Sequence, residues 1–235
     1  MNRPAYWAVI PAGGSGRRMG AAIPKQYLPL RGRAVIEHTV ERLARHPRIR
    51  QVVVAVAADD RWWAGLHFDL PEPPLRAPAG AERCHSVLNG LRVLADRADD
   101  GDWVLVHDAV RPCVRATDVD RLMNEAADHP GGGLLGVPAR DTMKRADVRG
   151  EVVETVSREG LWHALTPQMF PLGALAAAIA SAVERGVLVT DEAQAMELAG
   201  HAPRMVEGHP DNIKITRELD MVLADLYLAH QEREA

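Results

Sequence analysis

Residues 6–20 read YWAVIPAGGSGRRMG, and both the fold and the site depend on this stretch. Its apolar beginning, residues 6–10, stops at a proline and several glycines, a pattern typical of a buried strand that enters a loop. Glycines let backbone N–H groups approach phosphate oxygens closely, and ligands bind where the strands of a parallel sheet end. Arg17, Arg18 and the nearby Lys25 place positive charge beside those glycines. The stretch favours a phosphate-binding loop, with a turn of solvated basic residues as the alternative.

Three familiar glycine loops are excluded by spacing. A dinucleotide fingerprint, GxGxxG, begins well at Gly14 and Gly16, but Met19 stands where its last glycine belongs. A Walker A loop needs a lysine directly after a suitable glycine, and a nucleophile elbow, GxSxG, needs a glycine where Arg17 stands. A hydride-transferring dehydrogenase that uses a dinucleotide fingerprint is therefore not expected.

Outward from the loop, buried strands alternate with amphipathic helices. Strands are predicted at residues 6–10, 51–57, 103–106 and 134–137, and helices near residues 35–44, 87–95, 117–126, 172–184, 191–198 and 216–230. In the last helix, Leu219, Val222, Leu223 and Leu226 are expected to face the core. The alternation predicts an α/β domain with a mostly parallel sheet.

Residues 139–164 break this alternation. They are rich in charge, and residues 151–156 (EVVETV) have the composition of a strand that no crossover helix follows. We interpret the segment as a β-arm inserted into a single domain that spans residues 1–235, with a long surface loop as the alternative. A long insertion in a compact domain is more often functional or interface-forming than idle.

The bulk composition limits the classes of partner. The chain has 235 residues, 47 % of them hydrophobic, and a net charge of −4, which does not indicate a general nucleic-acid or membrane-surface binder. Its two cysteines, Cys84 and Cys113, are too few for a disulfide framework and lack zinc-binding spacing. The N-terminal apolar run is too short for a signal segment. We therefore expect a cytoplasmic protein that binds neither nucleic acid nor membrane.

The glycine loop and the PKQY stretch at residues 24–27 resemble the signature of sugar- and polyol-phosphate nucleotidyltransferases. More narrowly, the chain resembles the 2-C-methyl-D-erythritol 4-phosphate cytidylyltransferase family. Six further blocks carry this resemblance in order: VHDAVRP (106–112), DTMK (141–144), REGLW (158–162), LTPQ (165–168), TDEA (190–193) and DNIK (211–214). The resemblance implies a Rossmann-like nucleotidyltransferase fold with an extended β-arm, and a homodimer formed by exchange of those arms.

The implied reaction joins CTP to 2-C-methyl-D-erythritol 4-phosphate. A phosphate oxygen of the polyol phosphate attacks the α-phosphorus of CTP in line, pyrophosphate leaves, and 4-diphosphocytidyl-2-C-methyl-D-erythritol forms. Because the substrate brings its own nucleophile, catalysis is expected to consist of positioning and charge stabilisation. Mg²⁺ is the implied cofactor, and CTP is the co-substrate.

The resemblance implies a role for each site residue. Arg18 and Lys25 would stabilise the pentacoordinate α-phosphate, and Asp108 would be the Mg²⁺ ligand. The residues implied to bind CTP are Ala12, Gly13, Gly14, Gly80, Arg83 and Ser86. The residues implied to bind the polyol phosphate are Arg158, Lys214, Asp141, Thr142, Thr166, Thr190 and Arg111.

Several of these residues have a second interpretation. Arg158 lies on the arm and would serve the active site of the other subunit, or it is an ordinary surface charge. Arg111 would either contact the phosphates or hold the metal ligand in place. Thr190 is alternatively the N-cap of the helix near residues 191–198. His107 is interpreted as a structural, hydrogen-bonded histidine, and Asp211 is a possible second acidic group.

Two positions depart from the usual family pattern. The family usually reads Pro-Ala-Ala-Gly at the first loop, where this chain has Gly13 in the third place, and Gly-Gly at the second loop, where this chain has Ala79 and Gly80. Both changes exchange one small residue for another, so backbone contacts to the base are expected to survive.

Two other functions stay open at this point. A ribitol 5-phosphate cytidylyltransferase would share the loop and several blocks, although the DTMK and REGLW blocks favour the methylerythritol enzyme. A non-catalytic nucleotide-binding protein on the same fold would be expected to have lost Arg18, Lys25, Asp108 or Lys214, and all four residues are present.

Overall fold

The computed structural model of the protein describes residues 4–14 and 23–234. Its strands are β1 (Tyr6–Pro11), β2 (Pro29–Leu30), β3 (Arg33–Ala34), β4 (Ile49–Val56), β5 (Leu75–Pro78), β6 (Trp103–Val106), β7 (Gly133–Pro138), β8 (Met143–Ala146), β9 (Val152–Val156), β10 (Trp162–Pro171) and β11 (Arg204–Glu207). Its α-helices are α1 (Val35–Ala44), α2 (Arg83–Leu94), α3 (Ala116–Ala126), α4 (Leu172–Glu184), α5 (Glu192–Leu198) and α6 (Glu218–Glu234). Short 3₁₀ turns lie at Lys25–Tyr27 and Trp63–Gly65.

Seven strands form a central sheet in the order β11-β7-β10-β6-β1-β4-β5. Every neighbouring pair is parallel except the two that involve β10, which runs antiparallel to both β6 and β7. The predicted α/β architecture with a mostly parallel sheet is confirmed. Because β1, β4, β5 and β6 point the same way, the loops that follow them meet at one edge of the sheet.

Two apolar cores cover the two faces of this sheet. Side chains alternate along β1, so Trp7 and Val9 join one core while Ala8 and Ile10 join the other. The first core packs against α2, α4 and α5, and the second packs against α1 and α3. Burial on both faces explains why β1 and β4 read as continuous apolar runs.

Helix α6 buries a different face from the predicted one. Leu219, Val222, Leu223 and Leu226 are all exposed, so the expectation that they face the core is wrong. The helix instead buries the stripe of Ala224, Leu228 and Gln231, which packs beside Val110 and Cys113. Both stripes have helical spacing, and the sequence alone does not show which one meets the domain.

The interruption in the predicted alternation contains a β-hairpin outside the central sheet. Strand β8 pairs antiparallel with β9, and both are mostly exposed. The flanking residues Pro138 and Trp162 pair with each other in the central sheet, so the chain leaves and re-enters the domain at one place. The hairpin therefore projects from the edge where β7 ends and β10 begins.

Candidate functional site

A cleft of about 370 Å³ opens at the edge where β1, β5 and β6 end. Its walls are the glycine loop after β1, the loop before α2, the turn after β6 and the segment before α6. The residues that line it are Pro11, Ala12, Gly13, Gly14, Lys25, Gln26, Gly80, Ala81, Glu82, Arg83, Ser86, Asp108, Ala109, Val110, Lys214 and Thr216. The structure thus brings together nine of the predicted site residues from four separate parts of the sequence.

Gln26 clamps the glycine loop. Its Nε2 donates to the backbone oxygens of Ala12 (2.9 Å) and Gly14 (3.0 Å), and the side chain is buried. The backbone N–H of Ala12 donates to the Ala55 oxygen of β4 at 2.8 Å, which ties the start of the loop to the sheet. The sequence alone indicated no role for Gln26, although this residue stands beside Lys25 in the PKQY stretch.

Ser86 shapes the second loop from inside. Its hydroxyl accepts from the Gly80 N–H (3.0 Å) and donates to the Glu82 oxygen (3.2 Å). A Cβ on Gly80 would overlap the Cβ of His85, so this loop can approach α2 only with glycine at that position. The Ser86 hydroxyl therefore holds the loop, while the backbone of the loop faces the cleft.

The two departures from the family pattern face each other in space. A Cβ built on Gly13 would overlap the Cβ of Ala79. One methyl group fits between the two loops, and this chain carries it on Ala79 instead of on residue 13. The two changes are therefore coupled, and the gap between the loops is filled in either arrangement.

Asp108 is a buried carboxylate surrounded by three cations. Its oxygens lie 2.9 Å from Lys214 Nζ, 3.2 Å from Arg83 Nε and 3.4 Å from Arg111 Nε. Burial by itself raises the pKa of Asp108, but the charges of Arg83, Lys214 and Arg111 outweigh it and hold the pKa well below its ordinary value. The cleft therefore contains a carboxylate that stays ionised at neutral pH.

Arg83 connects this carboxylate to a second one. Its Nη1 and Nη2 donate to the two oxygens of Glu192 at 2.6 and 3.1 Å. Glu192 is 1 % exposed, at the start of α5 and behind the wall of the cleft. Glu192 lies in the TDEA block, but no local pattern predicts this pairing, because 109 residues separate Glu192 from Arg83.

A buried polar network supports the turn after β6. The Thr166 hydroxyl accepts from the Asp108 N–H (3.1 Å) and lies 2.8 Å from His107 Nδ1, while His107 Nε2 lies 3.1 Å from the Arg111 oxygen. A carbonyl only accepts, so Nε2 carries the imidazole proton and Thr166 donates to Nδ1. Burial lowers the pKa of His107 to about 4, which keeps the ring neutral. The structural interpretation of His107 agrees with these contacts.

Arg111 and Thr166 lie beneath the cleft instead of lining it. Arg111 Nη1 donates to the Asn212 oxygen at 2.7 Å, and Asn212 Nδ2 donates to the Thr166 oxygen at 2.8 Å. Arg111 therefore holds Asp108 from behind, the second of its two interpretations. The Thr166 hydroxyl already has a donor and an acceptor within the protein, which differs from the predicted contact with substrate hydroxyl groups.

Four further predicted substrate-binding residues also lie outside the cleft lining, and one predicted catalytic residue lies outside the described residues. Asp141, Thr142 and Arg158 are exposed beside the hairpin, and Arg158 donates to the backbone oxygen of Arg140. Thr190 is exposed and does not cap α5, because Asp191 accepts from Gln194 N–H at 2.9 Å as the N-cap. Arg18 belongs to residues 15–22, which the structure does not describe.

Asp108 and Glu82 are the carboxylates that line the cleft. Asp211 faces away from it and pairs with Arg115 at 2.7 Å and with Gln231 at 2.9 Å. Within residues 4–14 and 23–234, no group of three or more His, Cys, Asp or Glu side chains is arranged to hold a metal ion alone. A metal at this cleft would share its coordination with ligand oxygens.

Comparisons with known proteins point to one family. The chain matches the profile described as 2-C-methyl-D-erythritol 4-phosphate cytidylyltransferase over residues 6–230. It is 55 % identical over 219 residues to a protein of that name from Pseudomonas putida, covering 93 % of each chain. It is also 55 % identical over 220 residues to one from Pseudomonas aeruginosa, covering 93 % of this chain and 94 % of that one.

Solved structures agree with the sequence comparisons. The fold is similar to that of a 2-C-methyl-D-erythritol 4-phosphate cytidylyltransferase from Francisella tularensis, with a TM-score of 0.82, 33 % identity, and coverage of 95 % of this chain and 99 % of that one. It is also similar to a crystal structure of 4-diphosphocytidyl-2C-methyl-D-erythritol synthase, with a TM-score of 0.83, 34 % identity, and coverage of 96 % and 100 %.

Proposed function

The chain belongs to the 2-C-methyl-D-erythritol 4-phosphate cytidylyltransferase family, and from this premise we propose how its cleft performs the family's reaction. The enzyme is a nucleotidyltransferase that joins CTP and the polyol phosphate to give 4-diphosphocytidyl-2-C-methyl-D-erythritol and pyrophosphate. One observation carries the assignment of the site: an ionised, buried Asp108 stands among three cations beside a clamped glycine loop.

Charge is the central problem of this transfer. Two anions must meet, and negative charge builds on the α-phosphate oxygens as the substrate phosphate attacks and pyrophosphate leaves. Lys25, Lys214 and Arg83 line the cleft and supply positive charge there. Lys25 and Arg18 are proposed to stabilise the α-phosphate in the transition state, and Lys214 is proposed to position the attacking phosphate.

The base and the triphosphate are proposed to lie between the two loops. Backbone groups of Ala12, Gly13, Gly14 and Gly80 are available for the cytosine edge and the phosphates. Gln26 and the Ser86 hydroxyl hold these loops in place through their hydrogen bonds. Because these hydrogen bonds are present without CTP, the backbone at residues 12–14 and at Gly80 should need little ordering when it binds.

The residues of the cleft fit Mg²⁺ bound together with the triphosphate. This ion typically takes one or two carboxylates and completes its coordination with phosphate oxygens and water. Asp108 is ionised and lines the cleft, with Glu82 as the other lining carboxylate. Asp108 would hold the ion, which when bound neutralises charge on the phosphate oxygens. Arg111 and Arg83 keep the carboxylate in position.

The arm residues are proposed to act in a homodimer. Arg158, Asp141 and Thr142 lie outside the cleft lining of their own chain, so a second subunit is needed to bring Arg158 to a polyol phosphate. Mixing R158A with K25A tests this arrangement. Each mixed dimer would contain one intact site, with Lys25 from one chain and Arg158 from the other. After random exchange of equal amounts of the two variants, half of the dimers are mixed, so the mixture should show about a quarter of the wild-type activity. No recovery after subunit exchange would contradict it.

The protein is proposed to work in the cytoplasm. Its two cysteines are buried and free, as expected in a reducing compartment. Among the helices of the described residues, none has the length and apolar character that crossing a membrane requires.

Pyrophosphate release with CTP and Mg²⁺ tests the proposed function. Rapid release with 2-C-methyl-D-erythritol 4-phosphate and none with ribitol 5-phosphate is the expected result. Release with ribitol 5-phosphate would keep the chemistry and change the acceptor. If the folded protein released no pyrophosphate with either acceptor, the catalytic assignment would be wrong.

A further inference from the structure

We infer that Glu192 is a positioning residue for the nucleotide, holding the Arg83 guanidinium at the wall of the cleft so that its remaining N–H groups face CTP. This inference rests on the proposed function, in which Arg83 contacts CTP. It adds a residue that is not among the described residues lining the cleft and whose carboxylate pairs with Arg83.

The geometry of the Arg83 fork supports this role. A guanidinium has five N–H donors in one plane. Nε donates to Asp108, and one N–H from each terminal nitrogen goes to Glu192. Two donors are left without a partner among the residues that the structure describes. The bidentate pair fixes the plane of the guanidinium, and with it the direction of those two donors.

Glu192 is itself rigidly held. Its neighbour Asp191 caps α5 and accepts from Gln168 Nε2 at 3.0 Å. Gln168 Oε1 accepts from the Ala193 N–H at 2.8 Å, so one buried side chain of β10 grips both neighbours of Glu192. The helix start, the strand and the arginine therefore form one connected support.

Positioning and simple charge predict opposite effects on CTP binding when Glu192 is neutralised. Glu192 places a negative charge behind a cleft that binds an anion, so its removal should tighten CTP binding if charge alone mattered. If Glu192 acts by orienting Arg83, its removal should weaken CTP binding. Glutamine is close to isosteric but offers one oxygen and one amide, and the amide cannot accept from the second Arg83 nitrogen.

Steady-state kinetics of E192Q at pH 8 separates the two effects. The expected result is a KM for CTP about tenfold higher, with kcat and the KM for the polyol phosphate within about twofold of the wild type. An unchanged or lower KM for CTP would overturn the inference. E41Q is the matched control, because Glu41 is also buried and paired with an arginine, Arg33 at 2.9 Å, away from the cleft. If E192Q acted only by destabilising the fold, its KM for CTP would change no more than that of E41Q.

Two further variants complete the test. If E192Q fails to fold, E192D keeps the charge but is too short for both nitrogens, and a normal CTP KM in E192D would overturn the inference. R83Q distinguishes this inference from the proposed function: a normal CTP KM in R83Q would contradict the proposed role of Arg83 itself. If R83Q binds CTP weakly, adding E192Q should change nothing further, and an additional rise would contradict action through Arg83.

Discussion

The cleft and the β8–β9 hairpin carry the same kinds of charged residues in opposite surroundings. In the cleft, Arg83 pairs with Asp108 and Glu192, whose side chains are 9 % and 1 % exposed. On the hairpin, Arg145 and Glu154 pair at side-chain exposures of 64 % and 52 %. Water screens the exposed Arg145–Glu154 pair more strongly than the pairs of Arg83 in the cleft. Ion pairs of similar length should therefore contribute more to the free energy of unfolding in the cleft than on the hairpin.

The comparison shows which roles one chain can support alone. In the cleft, Arg83, Arg111 and Lys214 all pair with Asp108, and Arg83 also pairs with Glu192, so this cluster of charges is held within a single subunit. The exposed groups of the hairpin are held mainly by each other, as in the pairs of Arg149 with Asp147 and Glu151. The exposed charges of the hairpin are therefore open to solvent and to any partner surface.

The largest effect is expected at the centre of the cleft. Asp108→Asn would leave the buried Arg111 without its carboxylate partner and would remove one of the two carboxylates that hold the half-buried Arg83, at a cost of about 3–5 kcal/mol in the free energy of unfolding. Urea unfolding in metal-free buffer would measure this cost without any contribution from a bound ion. Asp225→Asn, which removes an exposed partner of Arg31, should cost far less. An equal loss in the free energy of unfolding for the two variants would contradict the difference between the buried and the exposed ion pairs.

Lys25→Ala should reduce turnover while the fold persists. Losing one preorganised cation from the α-phosphate is expected to cost about 3–4 kcal/mol in the activation barrier, or about 10²–10³ in kcat. Pyrophosphate release under saturating substrates would measure it. Arg92→Ala, on the outer face of α2, is the control and should leave turnover unchanged. Near-normal turnover in the Lys25 variant would contradict the proposed role of Lys25 in stabilising the α-phosphate.

His107 should make stability depend on pH in a defined window. Its pKa is about 4 in the folded protein, against about 6.5 when unfolded, so between these values the unfolded chain binds the extra proton. The free energy of unfolding therefore rises with pH across the window and falls by about 3 kcal/mol as the pH drops from 6.5 to 4. His107→Asn should flatten this slope in denaturation curves, while His38 and His46 contribute equally to both proteins. An unchanged slope would mean that His107 does not carry the effect.

The smallest effect is expected on the hairpin. Arg145→Ala removes an exposed ion pair and should change the free energy of unfolding by less than about 1 kcal/mol. Salt should abolish that difference, because screening acts fully at the surface. A larger, salt-resistant change would show that the hairpin is buried in solution, as an arm-exchanged dimer requires.

Local patterns of the sequence predicted several of the buried strands and helices, but they missed β10, although it lies in the middle of the central sheet and is mostly buried. The strand at Trp103–Val106 and the helix at Leu172–Glu184 occur at the predicted residues, because continuous apolar runs and helical stripes fix them locally. Strands β5 and β11 were not anticipated, since four residues at the edges of a sheet carry little periodicity. The inner face of α6 was predicted wrongly because the exposed stripe of leucines and valine is more apolar than the buried stripe, which contains Gln231.

The site was predictable where its residues follow strands and not where they depend on distant contacts. Asp108 and the glycine loop come directly after β6 and β1, so topology alone brings them together. The pairing of Arg83 with Glu192 and the enclosure of Thr166 join parts of the chain that are 109 and 59 residues apart. Such contacts are a property of tertiary packing, which no local pattern contains.

The single methyl group between Gly13 and Ala79 limits the order in which this lineage can have changed. An ancestor with the usual family pattern would carry the methyl on residue 13, and adding a second one on residue 79 would produce the overlap seen when a Cβ is built on Gly13. The passable route runs through glycine at both positions, an intermediate with a small void and looser loops. Gly13 can therefore be returned to alanine without overlap only after Ala79 has been returned to glycine, whereas the change at residue 79 can come first.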